Sequence, residues 1–198
     1  MPDTNKLAGV RFGVKSVHYA ILDETAGTYG TPKPIPGAAK LTLSPVGSSN
    51  TAYYDDMPYE TFDTNGGYNV SFEGAYLTDD MKVDLLGYKK DANGVVYEPT
   101  DAKPPYIAFL WLFEGSKMDK AGLLYKVKFT RPSEEGNTKT DTVNPDNDTI
   151  SGAAVGKDIE IAGKKENVVK ASCLSTIDKA AVFDNWFKKV YTIGETIA

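Results

Sequence analysis

Residues 106–113 read YIAFLWLF, eight positions without a charge. A strand of that composition is buried on both faces and lies inside a sheet rather than at its edge. A short polar loop, 114–120, leads to residues 121–130, AGLLYKVKFT. Here the pattern alternates: Leu123, Tyr125, Val127 and Phe129 fall on one face, Lys126, Lys128 and Thr130 on the other. The loop length makes the two strands an antiparallel pair. Phe109, Trp111, Tyr125, Val127 and Phe129 are therefore expected in the core. Neither strand carries an evident catalytic group. A chain dominated by such segments is expected to work by assembly rather than by chemistry.

The rest of the chain extends the pattern. Residues 16–22 read as a first strand. Residues 38–44 alternate with Leu41 and Leu43 inward, and 68–77 alternate with Tyr68, Val70, Phe72 and Tyr76 on one face. A helix follows: Thr78 is a cap, Asp79 and Asp80 suit the positive end of the dipole, and Gly87 is a stop. Residues 88–99 form a hairpin that turns at Asp91–Gly94. Strands are also expected within 148–162 and over 168–174. Phe183, Trp186, Phe187, Val190 and Tyr191 sit at helical spacing, which predicts an amphipathic helix over 177–191, capped by Ser175 or Thr176 and burying Trp186. The expectation is one mainly β (α+β) domain over 1–198, with an antiparallel sheet, a flanking helix, a short C-terminal helix and an N-terminal arm over about 1–14.

Residues 45–67 break the pattern. They are polar and turn-rich, yet carry Tyr53, Tyr54, Met57, Tyr59 and Phe62 with no steady period. The segment reads as a long protruding loop or a splayed hairpin, and a loop of that length in a compact domain usually has a task. Aromatic side chains with a polar tip suit a protein interface; they also stack on sugars, or pin a loop to its own domain. These six residues, with Asp55 counted among them, are the candidate contact site.

Net charge is −5 and no basic stripe is present, which argues against a protein that grips nucleic acid phosphates. The single cysteine, Cys173, permits no internal disulfide and reads as a small buried residue. No apolar run approaches the length of a membrane span, so no membrane insertion is expected. The polar opening MPDTNKLAGVRFG has no secretory h-region, which suggests a chain that stays in a cytoplasm.

Catalytic and metal readings are weak. His18 is the sole histidine and sits inside a strand. The run Asn144–Asp148 resembles the start of a calcium loop but lacks its glycine and distal glutamate. The pairs Asp55/Asp56, Asp79/Asp80 and Glu134/Glu135 are adjacent in sequence, unlike two carboxylates facing across a cleft. No phosphate loop, nucleophile elbow or zinc motif appears, so no catalytic residue, cofactor or metal is expected.

An ordered set of segments resembles the major tail proteins of long-tailed, non-contractile bacteriophages. The set is GVKSVHYAIL (13–22), GTYGTP (27–32), PGAAKLTLSP (36–45), NGGYNVSFEGAYL (65–77), DLLG (84–87), KPPYIAFLWLFEG (103–115), LLYKVKFTRPSEEGNTKTD (123–141) and NWFKKVY (185–191). Residues 156–169 have no match to the pattern. The resemblance implies a β-sandwich or barrel-like tail-tube fold, and a virion protein assembled in the host cytoplasm. Its copies would form rings, usually hexameric, that stack into a tube. Tape-measure, distal-tail and tail-terminator proteins are the implied partners, and DNA would pass through without specific binding. The alternative class is a carbohydrate-binding β-sandwich, such as a phage adhesion module.

Overall fold

The apolar run of 106–113 becomes strand Ile107–Gly115, and its two faces open onto two separate cores. Ile107, Phe109 and Trp111 enter one cluster; Ala108, Leu110 and Leu112 enter the other. The computed structural model describes residues 9–134, 136, 138, 146–177 and 179–195. In chain order the first strands are β1 (Arg11–Asp23), β2 (Thr28–Tyr29), β3 (Lys33–Ile35), β4 (Ala38–Val46), β5 (Ser49–Tyr54), β6 (Met57–Asp63) and β7 (Gly67–Gly74). Helix α1 (Asp79–Leu86) and the small hairpin β8 (Lys89–Lys90) and β9 (Val96–Tyr97) follow. Then come β10 (Ile107–Gly115), β11 (Lys120–Phe129), β12 (Asp148–Val155), β13 (Lys157–Ile161), β14 (Lys164–Val168), β15 (Lys170–Leu174) and α2 (Ala180–Asp184).

The main sheet is antiparallel and runs β2-β1-β10-β11-β12-β7-β4, with β3 added on β1 and β15 on β11. β11 is shared along its length: Lys120–Leu124 pair with β15, and Lys126–Phe129 pair with β12. This split lets β12, β7 and β4 curl back until β4 lies beside β1. The curl encloses Val70, Phe72, Phe109, Trp111, Leu124, Val127, Phe129 and Ile150. Helix α1 inserts Met81, Leu85 and Leu86 into the same core. Its cap is as the sequence implies: Thr78 Oγ1 accepts from Met81 N at 3.4 Å, and Gly87 closes it at φ 74°. Asp84 ties the helix to the sheet by accepting from Tyr19 Oη at 2.7 Å and from Lys33 Nζ at 2.5 Å.

The second core lies on the opposite face of β1, β10 and β11. It is covered by the β13–β14 hairpin, which supplies Ile159, and by the C-terminal segment, which supplies Val182, Trp186 and Val190. The result is a mainly β, sandwich-like fold around a strongly curled antiparallel sheet. The stretch 156–169, without counterpart in the resemblance, is the β13–β14 hairpin, turned at Ala162 and Gly163, both at positive φ.

Several expectations need correction. Leu123, Tyr125, Val127 and Phe129 do not share a face. Ile107 lies opposite Val127 but Phe109 opposite Leu124, so β11 carries one extra residue, a β-bulge. The bulge shifts the alternation: Leu123 and Tyr125 enter the second core, Leu124, Val127 and Phe129 the first. Leu41 and Leu43 are half-buried at the margin of the first core. β1 begins at Arg11, so a free arm cannot extend to residue 14; residues 1–8 lie outside the described set. The C-terminal helix is only Ala180–Asp184, and among the described residues it has no side-chain cap at Lys179. Beyond it, turns bonded Trp186 N to Phe183 O and Lys188 N to Asn185 O keep near-helical spacing. Burial of Trp186 sets that path: its indole stacks on Tyr191 at 5.5 Å, and Nε1 donates to Gly122 O at 3.3 Å. Ser175 Oγ instead accepts from Asp119 N, closing the β10–β11 loop.

Gly122 thus sits between two tryptophans. Trp186 bonds its carbonyl, and a Cβ on Gly122 would meet Trp111 Cζ2 at 2.3 Å. Gly122→Ala is expected to destabilise by about 1–3 kcal/mol through overpacking. A urea titration with an unchanged midpoint would show that Trp111 moves freely.

Burial drives three tyrosines the other way from ionisation. Tyr19, Tyr29 and Tyr125 have their phenol pKa pushed well above the ordinary range by desolvation first; the Asp84 carboxylate adds to this for Tyr19. A raised folded-state value contributes stability that is complete below the unfolded pKa of about 10 and is lost as pH climbs above it. An ultraviolet titration should show these three ionising only as the chain unfolds in alkali. Reversible ionisation of all tyrosines in the folded state near pH 10 would contradict this.

Candidate assembly surface

The β4–β7 ladder holds register to Val46↔Gly67 and then passes into a second ladder, β5–β6. The joint is narrow. Gly66 N donates to Val46 O at 2.6 Å, and Ser48 and Thr64 bond each other through backbone and side chain. A Cβ on Gly47 would lie 2.2 Å from Thr64 O, so only glycine fits. The arm turns at Asp55–Asp56, both at positive φ (51° and 61°), between the paired Tyr54 and Met57. Positive φ at both central residues is the type I′ pattern, which Asp tolerates better than most residues. Of the protruding loop and splayed hairpin expected over 45–67, the structure has a hairpin arm with one bulge between Ala52 and Tyr53, and Pro45, Val46 and Gly67 belong to the main sheet.

The arm stands clear of the body. Tyr53, Tyr54, Met57, Tyr59 and Phe62 are exposed by between 54% and 76%. Tyr54 and Tyr59 meet edge to face at 5.2 Å, and otherwise these side chains face solvent. A two-stranded hairpin alone is marginal in water, and a contiguous apolar patch on a soluble surface marks an interaction site. Burying one such side chain is worth about 1.5–3 kcal/mol. The arm also carries Asp55, Asp56, Glu60 and Asp63 and no basic residue, so it holds four of the chain's five net negative charges.

A groove of about 820 Å³ lies on the outward face of the curled sheet. Its floor is made of small side chains: Thr42 and Ser44 from β4, Asn69 and Ser71 from β7, Ser151 and Ala153 from β12. Its wall is the segment 98–106, with Pro99, Pro104 and Tyr106. Lys128 projects into it from β11, its ammonium 5.0 Å from the Tyr106 ring. Arg131 at the rim bonds Glu98 at 2.5 Å, and this holds the Glu98 carboxyl below its usual range; Tyr88 Oη donates to the same carboxylate at 2.9 Å. The sequence reading missed this groove. Its floor is the polar half of three alternating strands, and nothing in the sequence says that those halves lie side by side.

Among the described residues, the groups considered for chemistry take structural positions. His18 Nδ1 lies 3.0 Å from Ser16 O and its ring 5.0 Å from Phe187. Asp148 Oδ2 accepts from Leu77 N at 2.7 Å, and Asn147 Nδ2 donates to Glu73 at 2.8 Å; residues 144 and 145 fall outside the described set. Asp55 and Asp56 form the arm's turn and Asp79 and Asp80 start α1. Glu134 pairs with Lys82, and Glu135 is outside the described residues. Cys173 is buried, which raises its thiol pKa. Among the described residues no group of three or more His, Cys, Asp or Glu is placed to hold a metal. Tyr125 is buried as expected of a core residue, yet its Oη has no hydrogen-bond partner among the described residues. No helix among the described residues is long and apolar enough to cross a membrane.

No protein-family model matches the chain, and no curated protein matches its sequence.

Proposed function

We propose that this protein is a self-assembling structural subunit, the repeating unit of a bacteriophage tail tube built from stacked, hexameric rings. The observation that carries the reading is the β5–β6 arm, with five large apolar side chains held in solvent by a two-stranded hairpin. A monomer gains nothing from that arrangement, whereas a neighbour that covers the arm buries several of these side chains at once. A contact between different surfaces of identical copies closes into rings or continues as a filament.

Charge fits the passage of DNA. Most of the net negative charge lies on the arm and the body is almost balanced, so the body lacks the basic excess that would hold phosphates. In this reading the protein belongs to the virion tail and is assembled in the host cytoplasm. Its further partners are the tape-measure, distal-tail and tail-terminator proteins that the resemblance implies. Sedimentation velocity over a hundredfold concentration range is expected to show growth from small species to large assemblies. A single monomer boundary at every concentration would overturn the proposal.

A further inference from the structure

We infer that the groove floored by β4, β7 and β12 is the receptor for the β5–β6 arm of a second copy stacked in line with the first. The inference rests on the assembly reading and adds to it the surface that receives the arm. An arm and a groove are both left open on the same molecule, and the arm's exposure means its own groove is not its resting place. Their chemistries match. The arm offers tyrosine rings, Met57 and four carboxylates; the groove offers a floor of small side chains on which rings can lie, and Lys128. Among the described residues Lys128 has no carboxylate within ion-pair distance, only the Tyr106 ring beneath it.

The reach also matches. The arm follows the β4–β7 ladder through the short joint after Val46↔Gly67, and on this inference it projects along the strand direction. At about 3.3 Å per residue its strands extend about 20 Å. In a copy placed end to end, Thr42 lies four residues inside Ala38, the far end of β4, or about 13 Å. The arm's tip, Tyr54 to Met57, then falls over Thr42, Ser71 and Ser151. Each copy gives an arm at one end and receives one near the other, which yields stacking without limit.

The test is cross-linking between two variants of the full chain, with the buried Cys173 left in place. Copies bearing Met57→Cys are mixed with copies bearing Ser151→Cys, oxidised, and run on a non-reducing gel. A disulfide-linked dimer is expected from the mixture and not from either variant alone. Lys164→Cys on β14, away from the groove, should give at least tenfold less adduct with Met57→Cys. A charge swap provides the second readout. Lys128→Glu should raise the concentration needed for assembly about tenfold, and Asp56→Lys at the arm's tip in the same chain should recover most of it. Absent adduct in samples that do assemble, equal adduct with Lys164→Cys, or unchanged assembly by Lys128→Glu would overturn the groove as receptor while leaving the assembly reading intact. Copies that remain monomers under all conditions would overturn both.

Discussion

Removing residues 49–63 is expected to leave a folded, soluble chain that no longer polymerises. Ser48 and Thr64 are already hydrogen-bonded neighbours, so the cut joins two positions that the fold holds together. The five large side chains lost with the arm are exposed, and neither apolar core contains a residue from it. Each core side chain is therefore unaffected, and melting should move by no more than a few degrees, the scale of about 1 kcal/mol in a chain of this size. Assembly, in contrast, loses its main apolar contact. Circular dichroism checks the fold and electron microscopy the polymer. Normal tubes from the deletion would refute the role assigned to the arm, and a collapsed melting transition would show that the arm supports its own domain.

Trp111→Ala should be the most damaging single core substitution, costing about 3–5 kcal/mol. Trp111 is 3% exposed and packs against Phe109 and Phe113, with ring centroids at 6.2 Å and 5.9 Å. Its indole fills the space that Gly122 leaves by having no side chain. Neighbours on β10 and β11 are fixed by ladders on both sides and cannot collapse into the gap. Against a typical total stability of about 5–15 kcal/mol, such a loss should lower the melting temperature by about 6–20 °C. A small shift would mean that the first core relaxes around the missing ring, contrary to its enclosure by the curled sheet.

The elements legible from sequence were those whose local signal and tertiary role agree. β10 has one apolar run because both faces meet a core, and α1 carries its own cap and stop. The arm was visible as misplaced tyrosines, but sequence left a protruding loop and a splayed hairpin equally open. Both its faces are in solvent, so no alternation marks them, and a bulge between Ala52 and Tyr53 breaks the register. β11 misled for a related reason. Its apolar residues look evenly alternating, but the bulge opposite Ala108 sends Tyr125 and Val127 to different cores. At the C-terminus, spacing alone could not separate a helix from a series of turns that serve to seat Trp186 over Gly122. The groove was illegible because it depends on which strands become neighbours, and β7 pairs with β12 across more than seventy residues of chain.

Cryo-electron microscopy of the concentrated, purified protein distinguishes an assembling subunit from a free one. Hollow tubes of stacked rings are expected, in which each β5–β6 arm lies on a neighbouring copy. Discrete monomers with the arm free in solvent, above all monomers that bind a glycan array through Tyr53, Tyr54 and Tyr59, would contradict the assembly reading.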